Sequence, residues 1–260
     1  MTSPIPRQAA VFCAGEGTRL RPLTAHCPKP MLPVAGRPIL AYLLEWLAEQ
    51  GVQTVAINLH HRPDALTREI GDGAAFGLRV AYTREPSLLG SAGALRPMAS
   101  ILTETFVAIY GDTLTTLPLE PLTRLHSESG ALFTMALIDH PRPTEAGIVA
   151  LEDTKPWHGG LAGRVMRILE KPRPDEIFST IANAGIFIID PAAIELVPAY
   201  RPSDIARDLI PAILASGGIV AGWLVPTDAV ISDVGTPDGY ATAQTEWPPH
   251  WQARALRSAT

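Results

Sequence analysis

The chain has 260 residues, 47% of them hydrophobic and 18% charged, enough to bury the core of one large α/β domain or two small ones. A formal net charge of −5 lacks the basic excess that a long nucleic-acid footprint needs, yet leaves room for a small anionic ligand. The two cysteines, Cys13 and Cys27, form no CxxC pair, which argues against a zinc site or disulfide framework; no apolar run approaches the ~18 residues of a membrane span, residues 1–8 lack the apolar stretch of a signal peptide, and the expectation is a cytoplasmic globule.

The apolar run 9–12 ends in glycines and predicts a buried strand entering a loop. Leu40, Leu43, Leu44 and Leu47 recur at helical spacing and predict an amphipathic helix over 39–50, with Gly51 as its C-cap. Strands are predicted at 54–59, 78–82 and 106–110, and helices at 63–70, with Pro63 near its start, and at 92–100. This alternation implies parallel strands joined by right-handed crossovers, with ligands beyond the C-terminal strand ends. After Asp112 the strand candidates 132–138, 147–151, 165–169 and 184–189 have fewer helices between them. A helix over 203–215, starting near Pro202 or Ser203, and late strands at 220–225 and 229–231 complete the pattern. The fold class is α/β: a mixed, mostly parallel sheet flanked by helices, with a smaller second lobe. The expected organisation is an N-terminal tail over 1–8 and one domain over 9–245. That domain divides into a first lobe (9–115) and a second lobe with return strands (116–245), and a C-terminal tail containing Trp247 and Trp251 follows over 246–260.

The strongest motif is GEGTRLRPLT at 15–24, followed by PKPMLP at 28–33. Glycines directly after a strand let backbone N–H groups approach a phosphate, because no Cβ intrudes. Arg19 and Lys29 add two cations, which makes the string a polyphosphate cradle. It contains no P-loop and no dinucleotide fingerprint, since Arg19 and Leu20 stand where the last glycine would follow.

Gly15 to Thr24 with Pro28-Lys29-Pro30 resembles the sugar nucleotidyltransferase family, the nucleoside-diphosphate-sugar pyrophosphorylases. The resemblance continues in order through LGSAGAL at 89–95, YGD at 110–112, EKP at 170–172, NAGIF at 183–187 and DVGTP at 233–237. It implies a Rossmann-like fold with a nucleotide lobe over 9–115 and a smaller sugar-binding lobe over 116–245, in which the Gly-rich loop, at Ala14, Gly15, Gly17 and Thr18, covers a nucleotide while Arg19 and Lys29 hold its triphosphate. Gly90 belongs to the nucleoside-binding stretch. Cys13 stands where the family usually has alanine, and Ile231 where tryptophan is common; both read as packing positions. No hexapeptide repeat follows, so the acetyltransferase β-helix of some members is absent from the sequence given.

The implied reaction is attack by a sugar 1-phosphate oxygen on the α-phosphorus of a nucleoside triphosphate, releasing pyrophosphate. Two polyanions must be brought together, so cations and a divalent metal serve better than a side-chain nucleophile. Asp112 and Asp233 each follow an apolar strand and are the candidate Mg²⁺ ligands, while Lys171 would bind the sugar phosphate. Glu170 and Asn183, with the backbone at Gly147, are the candidates for sugar hydroxyls. Taken singly, Asp112 also reads as a strand-end turn, Asp233 as a helix N-cap region, Lys171 as a surface ion pair and Asn183 as a turn cap. Glu85, just past a strand, offers a carboxylate whose two acceptors suit the two adjacent donors of guanine, which favours GTP over UTP or dTTP; the alternative is that it faces solvent or caps its own turn. The partners expected are the NTP and the sugar 1-phosphate, with no nucleic acid and no membrane, for a monomer or homodimer. The competing functions are a non-catalytic nucleotide-sugar-binding paralogue and a nucleotidyltransferase acting on a non-sugar alcohol phosphate.

Overall fold

The structure, a computed structural model, describes residues 5–199 and 201–258. Residues 1–4 of the expected N-terminal tail and 259–260 of the expected C-terminal tail lie outside the described residues.

Strand β1 (Gln8–Phe12) sends Ala9 and Val11 to one face of the sheet and Ala10 and Phe12 to the other, and both sets are buried. A strand apolar on both faces needs helices on both sides. Two short paired strands, β2 (Pro33–Val34) and β3 (Arg37–Pro38), lead into α1 (Ile39–Glu49). Next come β4 (Thr54–Leu59), α2 (Pro63–Ile70), β5 (Arg79–Arg84), α3 (Gly90–Gly93), α4 (Leu95–Met98) and β6 (Phe106–Tyr110). The second half contains β7 (Thr113–Thr115), α5 (Glu120–Ser129), β8 (Phe133–Asp139), β9 (Gly147–Trp157), β10 (Gly160–Glu170) and β11 (Ile181–Ile189). A π-helical turn (Ile205–Leu209) runs into α6 (Ile210–Ala215), and β12 (Val220–Leu224), β13 (Ile231–Asp233) and α7 (Pro237–Ser258) complete the chain.

These elements form one nine-stranded mixed sheet in the order β5-β4-β1-β6-β11-β8-β12-β10-β9. Strands β5, β4, β1 and β6 are parallel, and β11 runs antiparallel to β6 and β8. Helices α1, α2 and α5 pack on one face around Leu43, Leu47, Leu66 and Leu122; α4 and α6 pack on the other around Leu95, Met98, Ile210 and Ile213. The parallel register sets Phe12 level with Asn58 and Tyr110, so three strand ends open onto one edge. A separate ribbon of β7 and β13 places Asp233 opposite Thr113 at that edge. Among the described residues no helix is long and apolar enough to cross a membrane.

Several elements differ from the sequence expectation for local reasons. The helix expected over 92–100 is two short pieces, because Pro97 has no N–H to return to the Gly93 carbonyl. The helix expected over 203–215 begins as a π turn, capped by Asp204 rather than Ser203, with Asp204 accepting from the N–H groups of Ala206 and Arg207. Helix α5 is not among the elements expected from the sequence; its polar residues and Pro121 hide the single apolar stripe of Leu122 and Leu125. The expected tail over 246–260 is corrected for its described part. Helix α7 continues to Ser258, and Trp247, 2% exposed, packs with Trp251 on the Tyr42 ring. Two indoles one helical turn apart share a face, and burying that face outweighs Pro248 and Pro249.

His126 on α5 is buried against β8 with its Nδ1 2.9 Å from the Thr134 hydroxyl. Burial lowers its pKa from 6.5 to about 4, against a smaller opposing pull from Asp190. The unfolded chain therefore takes up this proton first, so the stability held above pH 6.5 is lost as the pH falls toward 4. At about 1.4 kcal/mol per unit, the loss is up to about 3 kcal/mol. Urea unfolding of wild type and His126→Gln at pH 7 and pH 4 is expected to show the wild type losing more stability by about that amount.

Candidate functional site

Past the level ends of β1, β4 and β6 lies a cleft in two halves that share Lys29, Tyr110 and Asp112. The first half, a cavity of about 270 Å³, is walled by Cys13, Ala14, Gly15, Asn58, Glu85 and Gly90, among others. Its floor is a hydrogen-bond relay. The Cys13 N–H donates to Asn58 Oδ1 at 2.7 Å, Asn58 Nδ2 donates to Glu85 Oε1 at 2.8 Å, and the Leu89 N–H donates to Glu85 Oε2 at 2.9 Å. Glu85 is 4% exposed, so these donors offset the desolvation of a charge. Both oxygens that would have met guanine are thus engaged by the chain itself, and the turn-capping alternative for Glu85 is the one the geometry favours. Glu85 therefore supplies no ground for preferring GTP.

Gly90 and Gly93 sit under the π turn. The N–H groups of Ala92 and Gly93 both donate to the Ser203 carbonyl, and a Cβ on Gly90 would lie 2.4 Å from that oxygen. Ser91 donates its hydroxyl to Asp204 and accepts from the Ile205 N–H. Gly17 has φ +62° and no room for a Cβ, which would lie 2.9 Å from Thr24 Cγ2 and 3.1 Å from Lys29 Cβ. It shapes the loop that presents Lys29, while Thr18 is exposed at the start of a 3-10 turn; neither lines the cleft halves described.

The second half, about 350 Å³, contains Arg19, Gly147, Glu170, Lys171, Asn183 and Asp233. Gly147 is pressed against two of them: a Cβ there would lie 2.6 Å from Asn183 Nδ2 and 2.7 Å from Glu170 Oε2. Asn183 Oδ1 accepts from the Gly185 N–H at 3.2 Å, which caps the bulge in β11 and leaves Nδ2 toward the cavity wall. Burial, then Asp204, raises the Glu170 carboxyl above its ordinary range, with Lys171 and Arg207 opposing. Lys171 takes a left-handed φ of +50°, is exposed, and holds Nζ 4.0 Å from Glu170 Oε1.

Gly235 lies beside the shared Asp112. A Cβ there would touch Asp233 Oδ1 at 2.7 Å, Asp112 Oδ2 at 2.9 Å and Arg19 Nη2 at 3.0 Å, so two carboxylates and a guanidinium converge on one methyl-sized spot. Lys29 forms an ion pair with Asp112. The N–H of Val234 donates to the Asp112 carbonyl at 3.1 Å, and the N–H of Gly235 to Asp233 Oδ1 at 2.7 Å. Burial among the cleft walls, then Asp112, pushes the Asp233 carboxyl up, although its open face stays exposed; the Gly235 N–H, Lys29 and Arg19 pull the other way. Among the described residues no group of three or more His, Cys, Asp or Glu gathers as a metal site. A pair of carboxylates is a set that suits Mg²⁺, which takes few protein oxygens and completes its shell with other oxygens such as water.

Asn58, Leu88, His140 and Glu145 also line the cleft and are not among the candidates drawn from the sequence. Asn58 had a signal, being the one amide in the apolar strand 54–59. His140 and Glu145 lie in an irregular loop with none.

The family model described as nucleotidyl transferase matches residues 8–248. The chain is 31% identical over 260 residues to a UTP–glucose-1-phosphate uridylyltransferase from a Synechocystis species, covering 95% of this chain and 62% of that protein. It is 33% identical over 244 residues to a mannose-1-phosphate guanylyltransferase from Mycobacterium tuberculosis, covering 92% and 64%. The chain thus spans under two thirds of the length of these curated relatives. In fold it resembles a UDP-glucose pyrophosphorylase solved with UDP-glucose, with a TM-score of 0.79 at 20% identity over 95% of this chain and 100% of that one. It also resembles a putative glucose-1-phosphate thymidylyltransferase from Bacillus anthracis, with a TM-score of 0.76 at 22% identity over 91% and 93%.

The relay predicts a stability effect at Glu85. Asn58 cannot turn its amide over, because its oxygen is held by the Cys13 N–H, so Glu85→Gln sets an NH₂ group against either Asn58 Nδ2 or the Leu89 N–H. Urea unfolding is expected to show a loss of about 1–3 kcal/mol, with Glu104→Gln on the surface unchanged.

Proposed function

The chain belongs to the nucleotidyl transferase family, and from that premise we propose that it joins a nucleoside triphosphate to a sugar 1-phosphate, releasing pyrophosphate and a nucleoside diphosphate sugar. The observation that carries the reading is the convergence of Arg19, Asp112 and Asp233 on Gly235, with Lys29 paired to Asp112 and both of that pair shared by the two halves of the cleft. The similarity to uridylyl- and guanylyltransferases of hexose 1-phosphates supports the same reaction class. The nucleotide takes the half built from 12–112, and the sugar phosphate takes the half built mainly from 138–185.

An oxygen of the sugar phosphate forms a new bond to the α-phosphorus as the bond to pyrophosphate breaks. Repulsion and misalignment between two polyanions are the main barrier terms. Arg19 and Lys29 hold the triphosphate from the Gly-rich loop, whose backbone at Ala14 and Gly15 forms the wall of the nucleotide half. Lys171 holds the attacking phosphate, and its left-handed backbone turns it from the end of β10 toward the cleft. Glu170, Asn183 and the backbone at Gly147 take sugar hydroxyls. Asp112 and Asp233 would hold Mg²⁺, which when bound screens charge on the phosphates and stabilises the leaving group.

Asp112→Asn and Asp233→Asn are each expected to lower kcat by on the order of 100-fold or more, read as pyrophosphate release, and EDTA should abolish turnover until Mg²⁺ is restored. Full turnover in EDTA rejects the two-aspartate assignment. A second measurement separates the halves: Lys171→Ala should raise KM for the sugar phosphate more than for the NTP, and Lys29→Ala the reverse. Equal loss of NTP affinity in both variants rejects that division.

A further inference from the structure

The segment 140–146 joins β8 to β9 and forms one wall of the second cavity, and its first residue, His140, is half-buried there beside Glu145, Gly147 and Glu170. The His140 N–H donates to the Thr180 carbonyl at 2.9 Å, which fixes it to the chain just before β11. Its ring Nδ1 accepts from the Arg142 N–H at 3.1 Å. A ring nitrogen that accepts carries no proton, so the neutral ring has its N–H at Nε2. No described residue takes that proton. The loop that carries it is firmly held: Arg142 and Glu145 form an ion pair at 3.3 Å, the Glu145 N–H donates to the Arg142 carbonyl, and the Ala146 carbonyl accepts from the Lys171 N–H at 3.0 Å. One loop therefore holds both a free ring donor and the backbone of Lys171.

A sugar hydroxyl both donates and accepts. Glu170 and Glu145 on the cavity wall can take hydroxyl protons, but oxygen lone pairs need donors. With Lys171 given to the phosphate and Arg19 and Lys29 to the triphosphate, the side-chain donors on the 138–185 wall are Asn183 Nδ2 and His140 Nε2, facing Tyr110 and Thr113 across the cavity's other side. We infer that His140 is a specificity-determining residue, donating Nε2–H to a neutral oxygen on the sugar of the incoming sugar 1-phosphate. That role rests on the reaction proposed above.

Two isosteres separate this role from loop support. In His140→Asn the amide oxygen replaces Nδ1 and keeps the Arg142 contact, but nothing stands at Nε2. In His140→Gln an NH₂ group stands near Nε2 and the Nδ1 acceptor is lost. The measurement is pyrophosphate release with the hexose 1-phosphate that wild type turns over fastest. His140→Asn should raise its KM about tenfold with the NTP KM within about twofold, and His140→Gln should stay near wild type. Monodeoxy analogues locate the contact: wild type should penalise one of them, and His140→Asn should not. An unchanged sugar KM in His140→Asn, or impairment in His140→Gln alone, overturns the inference while leaving the reaction in place. Absence of wild-type turnover with every NTP and hexose 1-phosphate pair overturns the reaction and the inference with it. Thermal melts confirm that the variants compared are folded.

Discussion

The backbone N–H of Cys13 leaves the sheet one residue past β1 and has to find an acceptor in a place closed to water. It finds Asn58 at the end of β4, and that bond sets the start of a chain of contacts along the first half of the cleft, the half proposed for the nucleotide. With the Asn58 oxygen fixed, its amide nitrogen must face Glu85, and Glu85 must be an acceptor. The other Glu85 oxygen then holds the Leu89 N–H, which sets the start of the Gly90–Gly93 turn. One buried polar chain thus connects the ends of two parallel strands, the loop after a third, and the turn that closes the nucleotide half. A fully satisfied network of this kind is rigid, and a partly satisfied one is costly, so its members cannot vary independently.

Glycines have the complementary role where elements must approach closely. Gly111 stands between β6 and Asp112, and a Cβ on it would lie 2.6 Å from Cys13 Sγ. Gly185, at φ +75°, lies under the Tyr110 ring with no space for a methyl group. Gly147 and Gly235 bring side chains together in the same way, the first joining Glu170 to Asn183, the second joining Asp112, Asp233 and Arg19. Each glycine lets polar groups from distant parts of the chain meet on a surface without a Cβ. Tyr110, shared by both halves of the cleft, stacks between Phe12 and Phe187 and fixes the seam between them.

The first half of the fold was legible because its strands are short apolar runs and its helices carry regular stripes. The predicted bounds at 54–59, 63–70 and 106–110 match the structure. Beyond Asp112 the sequence signal weakens for physical reasons. Strands β9 and β10 run 11 residues each, but β9 is the edge of the sheet and is exposed over 152–156, and the start of β10 alternates buried Ala162 with exposed residues, so hydrophobicity marks only 147–151 and 165–169. In the site, charged residues inside motifs were easy to find, and the structure brings Arg19, Lys29, Asp112, Lys171 and Asp233 to one cleft. Glu85 shows the limit of that reading. A carboxylate's identity gives its acceptors but not which donors already occupy them, and only the folded chain reveals Asn58 and Leu89 in that place.

The charges in the cleft come in balanced pairs. Lys29 lies against Asp112, Arg19 beside Asp233 and Lys171 beside Glu170, on a chain whose formal net charge is −5. Three cations stand against three carboxylates, and Glu85 and Glu145 line the cleft besides, so the side chains alone present no net positive charge to a polyanion. Such balance has a structural benefit: Asp112 and Asp233 could not share the face of Gly235 without Lys29 and Arg19 to offset their repulsion. It also means that any excess positive charge must arrive with the substrate. In the proposed reaction Asp112 and Asp233, already gathered, would hold a divalent cation that supplies that charge. In that arrangement the acids serve the ion and the basic residues are left to the phosphates. The ordering of charges before substrate arrives, rather than a standing positive field, is then what would fit an acidic protein to the anionic reactants proposed.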